Sequence, residues 1–176
     1  MYREILALAS ALCLVATCKA EVLKVSPGGF TVRSEAVVRG DAPHAWRALV
    51  NDIGKWWNPE HTYSGRAENL SIESRPGGCF CERLPNGGGV VHMTVVNLQP
   101  GKLLRLTGGL GPLQSLAVAG SLSWSFTPVA GGTKIEVTYT VGGFSPGGFD
   151  DIAPAVDGVL HEQLQRLAAF TDGRQR

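Results

Sequence analysis

The feature that most constrains this chain is a pair of alternating segments near its end. In 121–127, Leu122, Trp124 and Phe126 share one face of an extended strand, while Ser121, Ser123 and Ser125 share the other. In 133–141, Ile135, Val137 and Tyr139 alternate with Lys134, Glu136, Thr138 and Thr140. Successive side chains of a strand point to opposite faces, so the turn Ala130-Gly131-Gly132 closes a hairpin with one dry face and one wet face. An antiparallel sheet covered on one side has this signature. Its cover is readable just downstream. Ile152, Val156, Val159, Leu160, Leu164, Leu167 and Phe170 recur at helical spacing from near Asp150 to Thr171. Asp150 or Asp151 is placed to cap that helix, Pro154 falls in its first turn and Gly173 follows its end. A one-sided sheet and a one-sided helix bury their faces against each other, so the sequence predicts one α+β domain with an antiparallel sheet on a long C-terminal helix.

The remaining segments supply more strands. Phe30 to Arg39 alternates and is rich in Val, and reads as the first strand. Asp41-Ala42-Pro43 opens a short helix with Ala45, Trp46, Leu49 and Val50 on its apolar face, broken near Gly54. Leu70–Glu73, Cys79–Leu84, Val90–Leu98 and Leu103–Thr107 read as strands, separated by turns at Pro76-Gly77-Gly78, Pro85–Gly89 and Pro100-Gly101. With 44% apolar and 18% charged residues the chain can bury a core and is not of disordered type. Its net charge of +1 gives no electrostatic footprint for nucleic acid or an acidic membrane.

The N-terminus differs in kind. Arg3 precedes the uncharged run Ile5–Ala16, and Thr17-Cys18-Lys19-Ala20 follows. This reads as a secretory signal peptide over 1–20, cleaved after Ala20, which leaves 21–176 as the domain of an exported protein, periplasmic or secreted. An apolar run of about 12 residues is too short to span a bilayer of roughly 30 Å, so no stable membrane span is expected after cleavage. The alternatives are a retained anchor, or lipidation of Cys18, which Thr17 fits poorly. After cleavage only Cys79 and Cys81 remain of the four cysteines. Two apart on a strand, they point to one face, where a disulfide between such near neighbours is geometrically awkward. They are expected as small apolar fillers, since no further ligands stand nearby to complete a metal site.

Several phrases, taken in order, carry a resemblance. They are Trp56-Trp57 after the first helix, Pro76-Gly77-Gly78-x-Phe80-x-Glu82, Gly89-Val90-Val91-His92, Leu98-x-Pro100-Gly101-x-Leu103, and Trp124-x-Phe126-x-Pro128 followed by Gly132-Thr133-Lys134-Ile135. Over roughly 28–171 the chain resembles the START and birch-pollen-allergen-like (SRPBCC) superfamily. It is most similar to the branch of chaperone-ATPase-activator homologues and polyketide-cyclase-like proteins. The resemblance implies a helix-grip fold, a curved antiparallel sheet wrapped around the C-terminal helix with a cavity between them. Relatives use that cavity for lipids, sterols, polyketides or aromatic metabolites, and fold alone does not choose among these.

The candidate site residues follow. A hairpin symmetric about Gly87 sets Glu82 directly opposite His92, with Cβ atoms about 5 Å apart. A Glu–His pair in an apolar pocket poises an imidazole for general acid–base work; the plain alternative is a structural or rim pair, and a one-residue register slip would remove the pairing. Trp56, Trp57, His61 and Tyr63 suit a pocket mouth, since aromatics with polar tips give apolar area plus a directed hydrogen bond; the plain alternative is that Trp56 and Trp57 simply cover the core edge. Metal binding by His61 and His92 lacks a third ligand, and no cofactor is implied. Trp124, Phe126 and Tyr139 are core residues that double as pocket wall, and Gln114 is a polar contact. The Gly-rich loops 108–112 and 142–149 are candidate gates, with Phe144 and Phe149 as plugs. The expected function is an exported binding protein for an apolar or aromatic small molecule. The alternative is a cyclase- or lyase-type enzyme with Glu82 and His92 as its acid–base pair. A protein-interaction module fits export poorly.

Overall fold

The structure is a computed structural model that describes residues 19–174. The chain runs β1 (Lys19–Ser26), β2 (Gly29–Val38), α1 (Ala42–Asn51), α2 (Ile53–Trp56), β3 (Leu70–Ile72), β4 (Cys79–Arg83), β5 (Gly89–Gln99), β6 (Leu103–Gly108), β7 (Ala117–Val129), β8 (Gly132–Phe144) and α3 (Ile152–Thr171). Single 3-10 turns lie at Pro59–His61, Ala67–Asn69, Pro85–Gly87 and Gly111–Ser115. All eight strands form one antiparallel sheet in the order β1-β2-β8-β7-β6-β5-β4-β3. The curved sheet wraps α3, the α+β helix-grip arrangement expected from the sequence.

The late hairpin pairs as its alternation requires. Leu122 faces Tyr139, Trp124 faces Val137 and Phe126 faces Ile135, and all six are buried. Leu160, Leu164 and Leu167 of α3 are buried in the same core. The Asp41 carboxylate accepts from His44 N at 2.8 Å and caps α1, which satisfies a backbone donor the helix itself leaves unpaired. Aromatic contacts then lock the helices to the sheet: Trp46 lies 5.8 Å from Phe126, and Trp56 lies 6.5 Å from Trp124, centroid to centroid. Asp151 stands at the start of α3 but makes no capping hydrogen bond.

Two expectations are corrected. The first strand is not Phe30–Arg39: β1 precedes it and pairs with β2, Val22 opposite Val32. Of the stretch 1–20 expected as a signal peptide, residues 1–18 lie outside the described residues, and Lys19 and Ala20 belong to β1. Among the described residues no helix is long and apolar enough to cross a membrane. Second, Cys79 and Cys81 are joined by a disulfide. Regular strand residues two apart are separated by about 6.7 Å, whereas these Cα atoms are 5.3 Å apart, inside the range a disulfide bridges. The shortening falls where the β4–β5 ladder slips, between Phe80 and Cys81.

Candidate functional site

The slip in that ladder also builds the site. Asn86 (φ 60) and Gly87 (φ 79) both occupy the left-handed region at the turn, which Asn tolerates and Gly enters freely. The turn is therefore centred one residue earlier than a hairpin symmetric about Gly87. Glu82 pairs with Val90, and Cys81 with Val91, instead of Glu82 with His92. Phe80 then pairs with Met93, so His92 is an extra residue on β5. A bulge of this kind breaks the alternation of side chains, and His92 and Met93, though adjacent, are both buried while Val91 is exposed. The bulge thus turns His92 inward and brings its Nε2 to 3.0 Å from Glu82 Oε2. The pair expected from the sequence exists, by a route the sequence did not show.

Glu82 is fully buried and surrounded by donors. Its Oε2 also accepts from Tyr63 N at 3.0 Å, and its Oε1 accepts from Ser64 N. Burial by itself raises a carboxyl pKa, but the hydrogen bonds from Ser64, Tyr63 and His92 outweigh it, and the net direction is downward. Burial pushes His92 below its ordinary value, with Glu82 only partly opposing. An ionised carboxylate can only accept. Nε2 of the neutral imidazole therefore carries the proton, and Nδ1 presents a lone pair. Nδ1 is buried without a hydrogen-bond partner among the described residues. Tyr63 stacks on the ring, 5.8 Å between centroids, and Phe80 packs against it at 5.0 Å.

His92 lines a cavity of about 630 Å³. Ile152, Val156, Val159 and Leu160 of α3 form one wall; Trp57, His61 and Tyr63 form a second; Leu110, Pro112, Leu113 and Leu116 form a third. The segment 57–64 is tied at both ends. Glu82 holds the Tyr63–Ser64 backbone. Glu162 of α3 holds His61 Nε2 at 3.0 Å and Asn58 Nδ2 at 2.6 Å, while Gln163 accepts from Asn58 N at 2.9 Å.

Of the residues singled out from the sequence, Trp57, His61, Tyr63 and His92 line this cavity, and Glu82 stands behind His92. The others lie elsewhere. Trp56, Trp124 and Phe126 are buried in the main core, and Trp56 donates its indole N–H to Ala48 O at 2.8 Å. Tyr139 is also a core residue: its hydroxyl donates to Gly108 O at 2.8 Å and accepts from Leu110 N at 3.0 Å, so it anchors the Gly-rich loop. Burial pushes that hydroxyl up to about 12, against the lowering by Leu110. Gln114 reaches away from the cavity to Val91 O at 2.6 Å. Phe144 is exposed at the end of β8, and Phe149 is buried against Phe30. The α3 wall was missed as a ligand surface, although its residues were already marked as the apolar stripe of the helix. Phe80 was missed too, and only the position before Glu82 on the inward face pointed to it.

A cavity between sheet and C-terminal helix, with a buried polar pair in its wall, is the setting for comparison with known proteins. The family described as polyketide cyclase / dehydrase and lipid transport matches residues 20–170. The chain belongs to this family. No curated protein matches it. Among solved structures, an uncharacterized protein from Rhizobium leguminosarum is similar over 90% of this chain and 99% of its own, with 16% identity and TM-score 0.61. Ara h 8.0201 is similar over 82% of this chain and 98% of its own, with 16% identity and TM-score 0.58. The di-domain ARO/CYC StfQ from the steffimycin biosynthetic pathway is similar over 84% of this chain and 52% of its own, with 21% identity and TM-score 0.56. These likenesses show the fold, and together with the family match they support the SRPBCC superfamily expected from the sequence. Family and fold together support a role in binding a hydrophobic ligand or in cyclase chemistry.

Proposed function

We propose that this protein is an exported binding protein that holds an apolar or aromatic small molecule between α3 and the segment 57–64. The observation that carries the reading is the cavity itself: about 630 Å³, walled by aliphatic and aromatic side chains on three sides. Ligand pockets of about 300–1,000 Å³ with few, well-placed polar groups bury most of a small molecule. Trp57, His61, Tyr63 and His92 are its proposed contacts from the sequence, joined by Phe80 and the α3 wall. Export is supported by the apolar N-terminal run and by the Cys79–Cys81 disulfide, a bond that persists in oxidising compartments. On this reading the mature domain begins at Glu21, and N-terminal sequencing of the protein from a periplasmic or secreted fraction tests it.

A second reading, catalysis of the cyclase or lyase type, is favoured by one observation, the Glu82–His92 pair. On this reading a turn of the imidazole would bring its buried Nδ1 to the cavity, where it would take a proton from a bound substrate as a bond in the substrate rearranges, and Glu82 would stabilise the imidazolium. The same proton returns to the product, so no co-reactant is needed.

Native mass spectrometry of the protein purified from its producing cells, followed by solvent extraction, tests the binding reading. The expected result is an apolar molecule at near one-to-one stoichiometry that is lost from Val156→Trp, which fills the cavity. A wild type that is empty and takes up no apolar compound from a screen overturns it. Conversion of an extracted ligand by the wild type and not by His92→Phe would move the assignment to the enzyme.

A further inference from the structure

We infer that Asp157 is the receptor for the α-ammonium that cleavage after Ala20 frees at Glu21, so that processing of the exported chain completes an ion pair between β1 and α3. The inference rests on the export reading above, which begins the mature domain at Glu21. Two independent observations meet at one nitrogen. The N-terminal pattern puts the cut between Ala20 and Glu21. Beside that same peptide bond the structure leaves a carboxylate short of partners. Asp157 is half-buried on α3, and its Oδ1 is buried and accepts no hydrogen bond among the described residues. The backbone N–H of Glu21 is directed at this carboxyl group. Burial holds the carboxyl pKa above its ordinary value; His161 and the Glu21 N–H lower it only in part, and the Glu21 carboxylate adds to the rise.

The neighbouring basic groups are engaged elsewhere. Arg33 bonds Glu21 Oε2 at 3.2 Å, and Lys19, 3.7 Å from the same oxygen, leaves with the cleaved segment. His161 Nδ1 lies 3.5 Å from Ser34 Oγ, and its Nε2 lies 2.8 Å from Gln165 Nε2. Hydrolysis of the Ala20–Glu21 bond consumes one water and leaves a carboxylate on Ala20 and an ammonium on Glu21. A peptide N–H has one donor and no charge, whereas an ammonium has three donors and a full charge. Cleavage makes that exchange at a nitrogen already in place. It also removes the first two residues of β1, which pair with Glu35 and Ser34. β1 is an edge strand paired only with β2, and the new ion pair ties its shortened end to the helix.

The test uses intact protein from a periplasmic or secreted fraction. N-terminal sequencing should begin at Glu21. Competitive acylation of the α-amino group between pH 6 and pH 10, read by mass spectrometry of the N-terminal peptide, gives its pKa. The expected value lies about one unit above the ordinary 7.7–8.0, which makes acylation at pH 7 about tenfold slower. Asp157→Asn, checked for folding by circular dichroism, should return it to the ordinary value and lower the Tm by about 2–4 °C at pH 7. In a chain made without export that keeps Lys19 and Ala20, the same change should lower the Tm by less. A chain that begins at Glu21 with an ordinary α-amino pKa overturns the inference and leaves the export reading intact; the wild-type titration alone decides this if Asp157→Asn does not fold. A mature chain that begins elsewhere overturns the inference together with the cleavage boundary, and absence of the protein from both fractions brings down the export reading itself.

Discussion

Replacing Glu82 by Gln keeps the shape of the side chain and removes only its charge and half its acceptors. In the wild type, Oε1 accepts from Ser64 N, and Oε2 accepts from Tyr63 N and His92 Nε2. An amide has one acceptor oxygen. Placed toward Tyr63 and His92, it leaves Ser64 N–H facing an NH₂ group; placed the other way, it leaves two donors so. Losing one charge-assisted bond at a buried site costs about 1.5–3 kcal/mol. The bonds that survive become neutral, at roughly half their former strength. The sum is about 3–5 kcal/mol. For a domain of this size, 1 kcal/mol moves the Tm by about 2–4 °C, so Glu82→Gln should lower it by about 6–20 °C. The assay is thermal unfolding followed by circular dichroism at pH 8, where His92 is neutral. Combining Glu82→Gln with His92→Phe should cost less than the sum of the two single changes, because they share a bond. A Glu82→Gln protein within about 2 °C of wild type would refute the reasoning, since Glu82 would then not be holding the 63–64 backbone and His92 together.

Other outcomes follow from the same structure. Stability should fall on acidification in two stages. The unfolded chain protonates His92 near its ordinary 6.5 while the folded pKa is lower, so stability begins to drop as pH falls below that value. The contribution of Glu82, whose folded pKa is also depressed, is present above its ordinary 4.5 and is lost as pH falls through its lower folded value. Tm measured from pH 8 to pH 4 should show the first stage in wild type and not in His92→Phe. Reducing Cys79–Cys81 should cost at most about 1.5 kcal/mol, because the loop it closes is only three residues long; urea unfolding with and without dithiothreitol measures it. Gly120→Ala should destabilise by more than 1 kcal/mol in the same assay, since its Cβ would stand 2.6 Å from Thr140 O and from the Tyr139 ring.

The fold was legible wherever a face is buried. The alternation of 121–127 against 133–141 fixed the register of β7 on β8, because a slip would put Trp124 and Tyr139 into water. The stripe on α3 was legible for the same reason. β1 was not, since an irregularity between Val22 and Lys24 breaks its alternation and its first residues run on from the N-terminal apolar segment. In the site, the Glu82–His92 contact was legible only as a pairing of residue types. Which ladder position each takes depends on two left-handed residues at one turn, and Asn86 does not announce that conformation from its identity alone. The division of Trp57 from Trp56 was also beyond the sequence: both indoles are buried and packed together, 5.6 Å between centroids, and only packing decides which of them borders the cavity.

The extra residue on β5 has a consequence for descent. Removal of Val91, a single codon, would let 92 pair opposite Cys81 and restore an unbroken ladder from Arg83 to Cys79. His92 would then take the outward position now held by Val91, and every core residue would stay where it is. The whole scaffold could thus be inherited with its imidazole switched off, or the reverse, in one step. The register of the β4–β5 turn, and not the mere presence of a Glu and a His nearby, is thus what sets the imidazole of this chain inward.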